Sequence, residues 1–372
     1  MKQDRTNPYE VEAVGRACEL IRLLQEGNQL RMHELAELAG LSRTTTFRLL
    51  ATLQAHGIVL KTGDSDYSLA GRSYSGTKYR IGYAAQSSEF GFSRAVTRGV
   101  KESASAADVD LIVMDNDYDP TLAMKNADIL LAQRIDLIME FQTNAQVAPL
   151  ISAKARRKKV PMIAIEIPHP NSTVFGVNNA QAGLVAGRYL AQWAHQNWMG
   201  KVDEVILLGL PQAGSLPESR LTSSLLGIRE VLPNLVEAKI SVISGNGQYG
   251  HSFEAIKVHL SNNRAKNILV SCINDPSALG ALEAFKRADR LQECVIVGQN
   301  GSVEARLEMR NPGTRLIGSV GYFPERYGEQ LIALAQEILV RRTPPPRAVF
   351  IKHQLLTPSN LKQYYKRENE RE

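Results

Sequence analysis

The chain has 372 residues, 44% of them hydrophobic and 22% charged, a balance that suits a soluble globular protein of two or three domains. Its 44 basic and 38 acidic residues leave a formal charge of +6, compatible with a nucleic-acid partner but not diagnostic of one. No apolar run is long enough to span a bilayer, and the opening MKQDRTNPYEVEAVGRA holds no secretory h-region, so a cytoplasmic protein without membrane contact is expected. Cys18, Cys272 and Cys294 are odd in number, widely spaced and set in apolar segments, and read as small core residues. Without CxxC, HExxH or paired Cys/His spacing, a metal site has no support.

Residues 11–69 read as three helices and a hairpin. Val14, Ala17, Cys18, Ile21 and Leu24 share one face of the first helix, and Met32, Leu35, Ala36 and Ala39 repeat at helical spacing in the second. Gly40 supplies a tight turn. Ser42 is a good N-cap for the third helix, in which Thr46, Leu49, Leu50 and Leu53 face inward. Arg43, Thr44, Thr45 and Arg48 are left outside near the helix start, where a recognition helix meets the major groove. Gly57 ends that helix. A hairpin follows, with Ile58 to Lys61 and Tyr67 to Leu69 as its arms and a polar tip over 62–66. Lys61 and Tyr67 are within reach of a DNA backbone, while Asp64 and Asp66 keep the tip clear of phosphate. The candidate DNA contacts are therefore Ser42, Arg43, Thr44, Thr45, Arg48 and Lys61. A helical module for protein contacts, with Arg43 and Arg48 merely solvated, is the alternative; helix lengths, glycine turn and hairpin together weigh against it.

The segments VGRACELIRLL, HELAELAGLSRTTTFRLLATLQAHGIV and YSLAG resemble the winged helix-turn-helix of the IclR family of regulators, giving a DNA-binding domain over 1–70. The rest of the chain does not follow that family. Composition changes near residue 70, residues 71–78 read as a small, polar linker, and apolar runs then alternate with helical stretches. Strands are expected over Arg80–Ala85, Val109–Asp115, Ile135–Glu140, Val160–Glu166, Val174–Val177, Glu204–Gly209, Ala238–Ser244, Asn267–Cys272, Cys294–Gly298, Arg315–Val320 and Ala348–Lys352. So much alternation exceeds one sheet, and two Rossmann-like doubly wound α/β lobes are expected over 79–362. Residues 363–372 form a charged tail.

From Tyr79 onward the chain resembles the type I periplasmic sugar-binding fold shared by ribose-binding proteins and LacI-type effector domains. The resemblance runs in order through RIGYAAQSSEFGFSRAVTRGVKESA, VFGVNNAQAGLVAGRYLA, SCINDPSALGALEAF, VIVGQNGSVEARLEM and LIGSVGYFPERYGEQLIALA to QLLTPSNL. It implies a first lobe over about 79–178 and 323–346 and a second over about 179–322 and 347–362. Polar residues stand at the carboxyl ends of the expected strands, where open α/β sheets bind ligands: Glu166, Asn178, Asn274 and Asn300. The resemblance places these in an interlobe cleft together with Phe92, Arg220, Tyr249 and Tyr322. Asn178 and Asn300 stand where the family commonly has Asp, Ile167 where it often has a polar residue, and Tyr322 where ribose binders have Gln. Those departures point away from ribose towards another sugar, a sugar acid or a polyol. Asn179 and Asp275 read mainly as helix caps.

The segment Gly245-Asn246-Gly247-Gln248-Tyr249-Gly250 is a literal GxGxxG, but alone it is weak support for a dinucleotide, and no cofactor is expected. No P-loop or nucleophile elbow occurs, and hydrogen bonding to ligand hydroxyls accounts for Glu166, so no catalytic residue is assigned. The function expected is a ligand-responsive regulator, a homodimer on a double-stranded operator with a sugar-like effector. The alternatives are a transporter's solute-binding protein and an enzyme using the cleft.

Overall fold

The structure, a computed structural model, describes residues 11–27, 29–61, 65–69, 78–235, 240–340 and 345–366. Linker residues 71–77, the hairpin tip at 62–64, the expected strand start at 238–239 and tail residues 367–372 lie outside the described residues.

The N-terminal unit comprises α1 (Glu12–Gly27), β1 (Gln29–Arg31), α2 (Met32–Leu38), α3 (Arg43–Ala55), β2 (Val59–Lys61) and β3 (Asp66–Leu69). The strands form an antiparallel sheet of order β1-β3-β2; β1 had no sequence signal. Leu20, Leu24, Leu35, Leu50, Leu53, Val59 and Tyr67 fill the core. Gly40 adopts φ +63°, and Leu41 N–H then donates to the Ala36 carbonyl at 2.8 Å, closing the turn between α2 and α3. Two expectations are corrected here. Cys18 is exposed, because α1 packs on a face centred on Leu20 and Leu24 and leaves Val14 and Cys18 outside. Tyr67 is 3% exposed, its ring in the core beneath the sheet, and does not reach outward to DNA.

The first lobe runs β4 (Arg80–Ala85), α4 (Gly91–Ala106), β5 (Asp110–Asp115), α5 (Pro120–Ala132), β6 (Leu137–Glu140), α6 (Ala148–Arg157), β7 (Met162–Ile165) and β8 (Thr173–Val177). The second continues α7 (Asn179–Trp198), β9 (Glu204–Gly209), α8 (Ser215–Val231), β10 (Ile240–Ser244), α9 (Tyr249–Ser261), β11 (Ile268–Cys272), α10 (Asp275–Arg287), β12 (Cys294–Asn300), α11 (Val303–Glu308) and β13 (Leu316–Gly321). The chain then returns through α12 (Tyr327–Val340), β14 (Ala348–Ile351), β15 (Gln354–Leu356) and α13 (Leu361–Tyr364). Sheet orders are β14-β8-β7-β6-β4-β5 and β10-β9-β11-β12-β13-β15. Strands such as MIAI, EVILLG and ILVSC are buried along their whole length, as parallel strands covered on both faces must be.

The expected lobe boundary is corrected at the last crossover. Ala348–Ile351, expected in the second lobe, pairs parallel with β8 of the first. Only β15, which was not expected, joins the second sheet, antiparallel to β13.

Helices α7 and α8 approach closely through glycine. A Cβ on Gly187 would lie 1.9 Å from the Ser224 carbonyl oxygen, and one on Gly183 2.2 Å from that of Arg220. Only glycine permits this approach, which fixes the helix that carries Arg220.

Candidate ligand cleft and DNA-binding face

Between the lobes lies a cavity of about 260 Å³. Its lining comes from segments just past strand ends: Gln86, Glu89, Phe90 and Phe92 after β4, Tyr118 after β5, Phe141 and Thr143 after β6, and Glu166 and Ile167 after β7. The second lobe adds Leu210, Ala213 and Arg220 after β9, Gly247 and Tyr249 after β10, Ile273 and Asn274 after β11, and Asn300, Ser302 and Glu304 at and after the end of β12. This is where parallel sheets leave backbone and side chains free to meet a ligand.

One charged pair joins the two lobes. Arg220 Nη2 donates to Glu166 Oε2 at 2.7 Å, with both side chains about nine-tenths buried. Arg220 also donates from Nε to Asn179 Oδ1 at 2.5 Å and from Nη1 to the Ile273 carbonyl at 3.2 Å. The other Glu166 oxygen accepts from the Tyr327 hydroxyl at 2.6 Å; burial pushes that phenol far up, so it stays a donor. Glu166 itself holds φ +63°, a conformation costly for a residue with a Cβ. A Cβ on Gly176 would come within 3.0 Å of its carboxylate, so the glycine leaves room for the acid. Each Glu166 oxygen thus has one protein donor, and Arg220 keeps further N–H groups at the cavity wall.

Two more acids brace the loops from behind. Asp275 accepts from Ser319 Oγ at 2.6 Å and from the Ser302 amide at 2.6 Å, holding the loop that bears Ser302 and Glu304; burial raises its pKa to about 7. Asn116 donates to Glu140 at 2.9 Å and accepts from Asn126 at 3.0 Å, tying together the β5 and β6 ends that carry Tyr118 and Phe141. Burial pushes Glu140 up to about 8, and its second oxygen has no hydrogen-bond partner among the described residues.

The structure brings Phe92, Glu166, Arg220, Tyr249, Asn274 and Asn300 to the cavity wall. Asn178 and Tyr322 are not among the lining residues. Asn178 is the N-cap of α7, its side chain accepting from the Gln181 amide, while the neighbouring Asn179, read as a cap, turns inward to Arg220. Tyr322 is 1% exposed behind the wall, donating to Gln299 at 2.6 Å, with the Arg220 guanidinium 5.0 Å from its ring centre. Asp275, also read as a cap, is the buried brace described above, and Asn274 caps α10 instead. Asn274 spends both ends of its amide on Ser277 N–H and the Gly247 carbonyl, so the GxGxxG loop is pinned to the next strand end. Gln86, Phe90, Tyr118, Phe141 and Thr143 were missed; each follows a strand end, the one signal that could have found them. Among the described lining residues Arg220 is the only cation, and it is paired.

On the N-terminal unit, Ser42 caps α3 by accepting from the Thr45 amide at 3.1 Å, and its hydroxyl also pairs with Thr45 Oγ1. Ser42, Arg43, Thr44, Arg48 and Lys61 are exposed and Thr45 is half-buried. Phe47, overlooked in the sequence, is 54% exposed on the same helix one residue from Arg48. Among the described residues no helix is long and apolar enough to cross a membrane.

A family model for the periplasmic binding protein domain matches residues 81–343, and one for the IclR helix-turn-helix domain matches residues 13–63. Solved structures share the two-lobed fold. An ABC transporter solute binding protein from Bacillus halodurans with bound myo-inositol is 17% identical, with a TM-score of 0.65 over 79% of this chain and 99% of that one. One from Agrobacterium vitis with bound allitol is 16% identical, with a TM-score of 0.66 over 78% and 99%. A galactofuranose binding protein is 20% identical, with a TM-score of 0.66 over 78% and 98%.

Proposed function

The chain belongs to the periplasmic binding protein domain family and carries an IclR helix-turn-helix domain ahead of it, and from that premise we propose that it is a ligand-responsive transcription regulator. The observation that carries this reading is the union in one chain of a capped helix exposing Arg43, Thr44 and Arg48 with an interlobe cleft. The head takes double-stranded operator DNA, with α3 in the major groove and Lys61 at the backbone. Two heads on a symmetric site combine their affinities, so the working form is a homodimer, acting in the cytoplasm where DNA lies.

The effector is a compact, neutral, polyhydroxylated molecule, a sugar or polyol. Gln86, Asn300 and the remaining Arg220 N–H groups supply hydrogen bonds, and Phe90, Phe92, Tyr118 and Phe141 supply apolar surface for C–H faces. Because Glu166 already neutralises Arg220 and Glu89 and Glu304 stand at the wall, sugar acids and sugar phosphates are disfavoured. Proteins of the same fold bind myo-inositol, allitol and galactofuranose, which supports this class. Ligand bridging the lobes favours the closed arrangement and changes DNA affinity by its differential affinity for the two states. No step of bond chemistry is assigned to the cleft, since Glu166 has both oxygens engaged. A panel of neutral and acidic monosaccharides and polyols, screened by thermal shift, tests the class: stabilisation by acids alone contradicts it.

A further inference from the structure

The loop from α6 into β7 carries four consecutive cations, Arg156, Arg157, Lys158 and Lys159, all exposed and with no ion pair among the described residues. Helix dipoles favour cations at a C-terminus, which accounts for Arg156 and Arg157 in the last turn. Lys158 is already the cap residue, and Lys159 beyond it adopts φ +56°, a position where helices favour glycine. Four adjacent like charges repel one another and gain from a polyanion laid across them.

Their place in the fold identifies that polyanion. The sheet is parallel, and Asp136 N–H donates to the Arg80 carbonyl at 2.7 Å while Ile138 N–H donates to the Pro161 carbonyl at 3.0 Å. The start of β7 is therefore level with the start of β4, two strands away, or about 10 Å across the sheet. The start of β4 is where the chain arrives from the DNA-binding head. Residues 70–77, whatever their path, span at most about 30 Å, so the head stays near this end of the lobe. Acids at the same end are already engaged: Asp108 with Lys78 at 2.9 Å and Asp110 with Arg80 at 2.6 Å, while Asp136 accepts from the Arg80 amide at 2.7 Å. Among the described residues the run at 156–159 is left uncompensated.

We infer that Arg156, Arg157, Lys158 and Lys159 form a second DNA contact, in which the effector lobe itself grips the phosphate backbone beside the site held by α3. This rests on the DNA-binding reading above. The contact reads no bases, and because it belongs to the first lobe rather than the head, it makes affinity depend on where that lobe sits relative to the head.

The test is fluorescence anisotropy of the full chain on a random-sequence duplex about four helical turns long, across a salt series. Neutralising the run (R156Q/R157Q/K158Q/K159Q) is expected to weaken binding and to flatten the slope of log affinity against log salt by about 3 to 4. The charge-preserving R156K/R157K variant keeps the wild-type slope, a result that lost packing would not give. If the neutralised variant keeps the wild-type slope while R43Q/R48Q weakens binding, the second contact is overturned and the regulator reading stands. If the wild type binds no duplex at any salt, both fall together.

Discussion

Arg220 of the second lobe and Glu166 of the first meet at 2.7 Å in the interior of the cleft, so one buried ion pair ties the lobes together at the ligand cavity. A buried pair holds only while both partners are present, because the survivor is an uncompensated charge in a poorly solvated place. Glu166→Gln is therefore expected to destabilise the effector domain by about 3–5 kcal/mol, read by urea denaturation. Unchanged stability would show that the lobes do not rely on this pair.

The crossing of α7 and α8 carries a different kind of risk. Gly187→Ala places a methyl 1.9 Å from a carbonyl oxygen of backbone that cannot swing aside. We expect a loss of at least about 1–3 kcal/mol and weaker effector binding, since the shift displaces Arg220. Gly250→Ala, where a Cβ meets nothing within 4 Å, serves as the control and is expected to be near neutral.

Glu140 makes stability depend on pH. Its folded pKa, raised by burial to about 8, lies above the unfolded value near 4.5, so the folded state binds the extra proton between those limits. The contribution is complete below about pH 4.5 and is lost as pH climbs through 8. Stability should fall from pH 6 to pH 9 by on the order of a few kcal/mol, read as a drop in melting temperature, with Asp275, raised to about 7, adding to the loss in the lower part of that window. Glu140→Gln keeps an acceptor for Asn116 and should remove most of that fall; a variant with the wild-type pH profile would contradict this account.

On the head, Arg48→Ala should reduce operator affinity by about 1–3 kcal/mol, measured by gel shift. Phe47→Ala should cost less affinity and relax sequence preference, as an exposed ring beside Arg48 suits a thymine methyl. Equal loss on operator and random DNA would move Phe47 out of base reading.

Most strands were legible because parallel strands buried on both faces are apolar runs bounded by turns, as in ILVSC before Asn274. What composition does not encode is which sheet a strand joins. Ala348–Ile351 and Gln354–Leu356 lie three residues apart and enter different lobes, a choice made by the path of the crossover. The cleft shows the same limit at the scale of single residues. An asparagine that caps a helix and one that turns into the site are indistinguishable by residue type alone, and here Asn178 caps while Asn179 turns inward. Tyr322 stands beyond the end of a strand facing the cleft, yet Arg220 lies over its ring and Gln299 takes its hydroxyl. Tyr67 and Cys18 exchanged inside for outside because a short sheet and a rotated helix face, not residue type, decided their burial.

The most direct test of the account measures operator binding as a function of effector. Anisotropy of a duplex from the chain's own upstream region, titrated with the purified protein over a salt series, would be repeated with each neutral sugar or polyol that raises its melting temperature. The account predicts salt-sensitive, sequence-preferring binding whose midpoint at least one such ligand moves several-fold. Ligands that stabilise the protein but leave DNA affinity unchanged would contradict it.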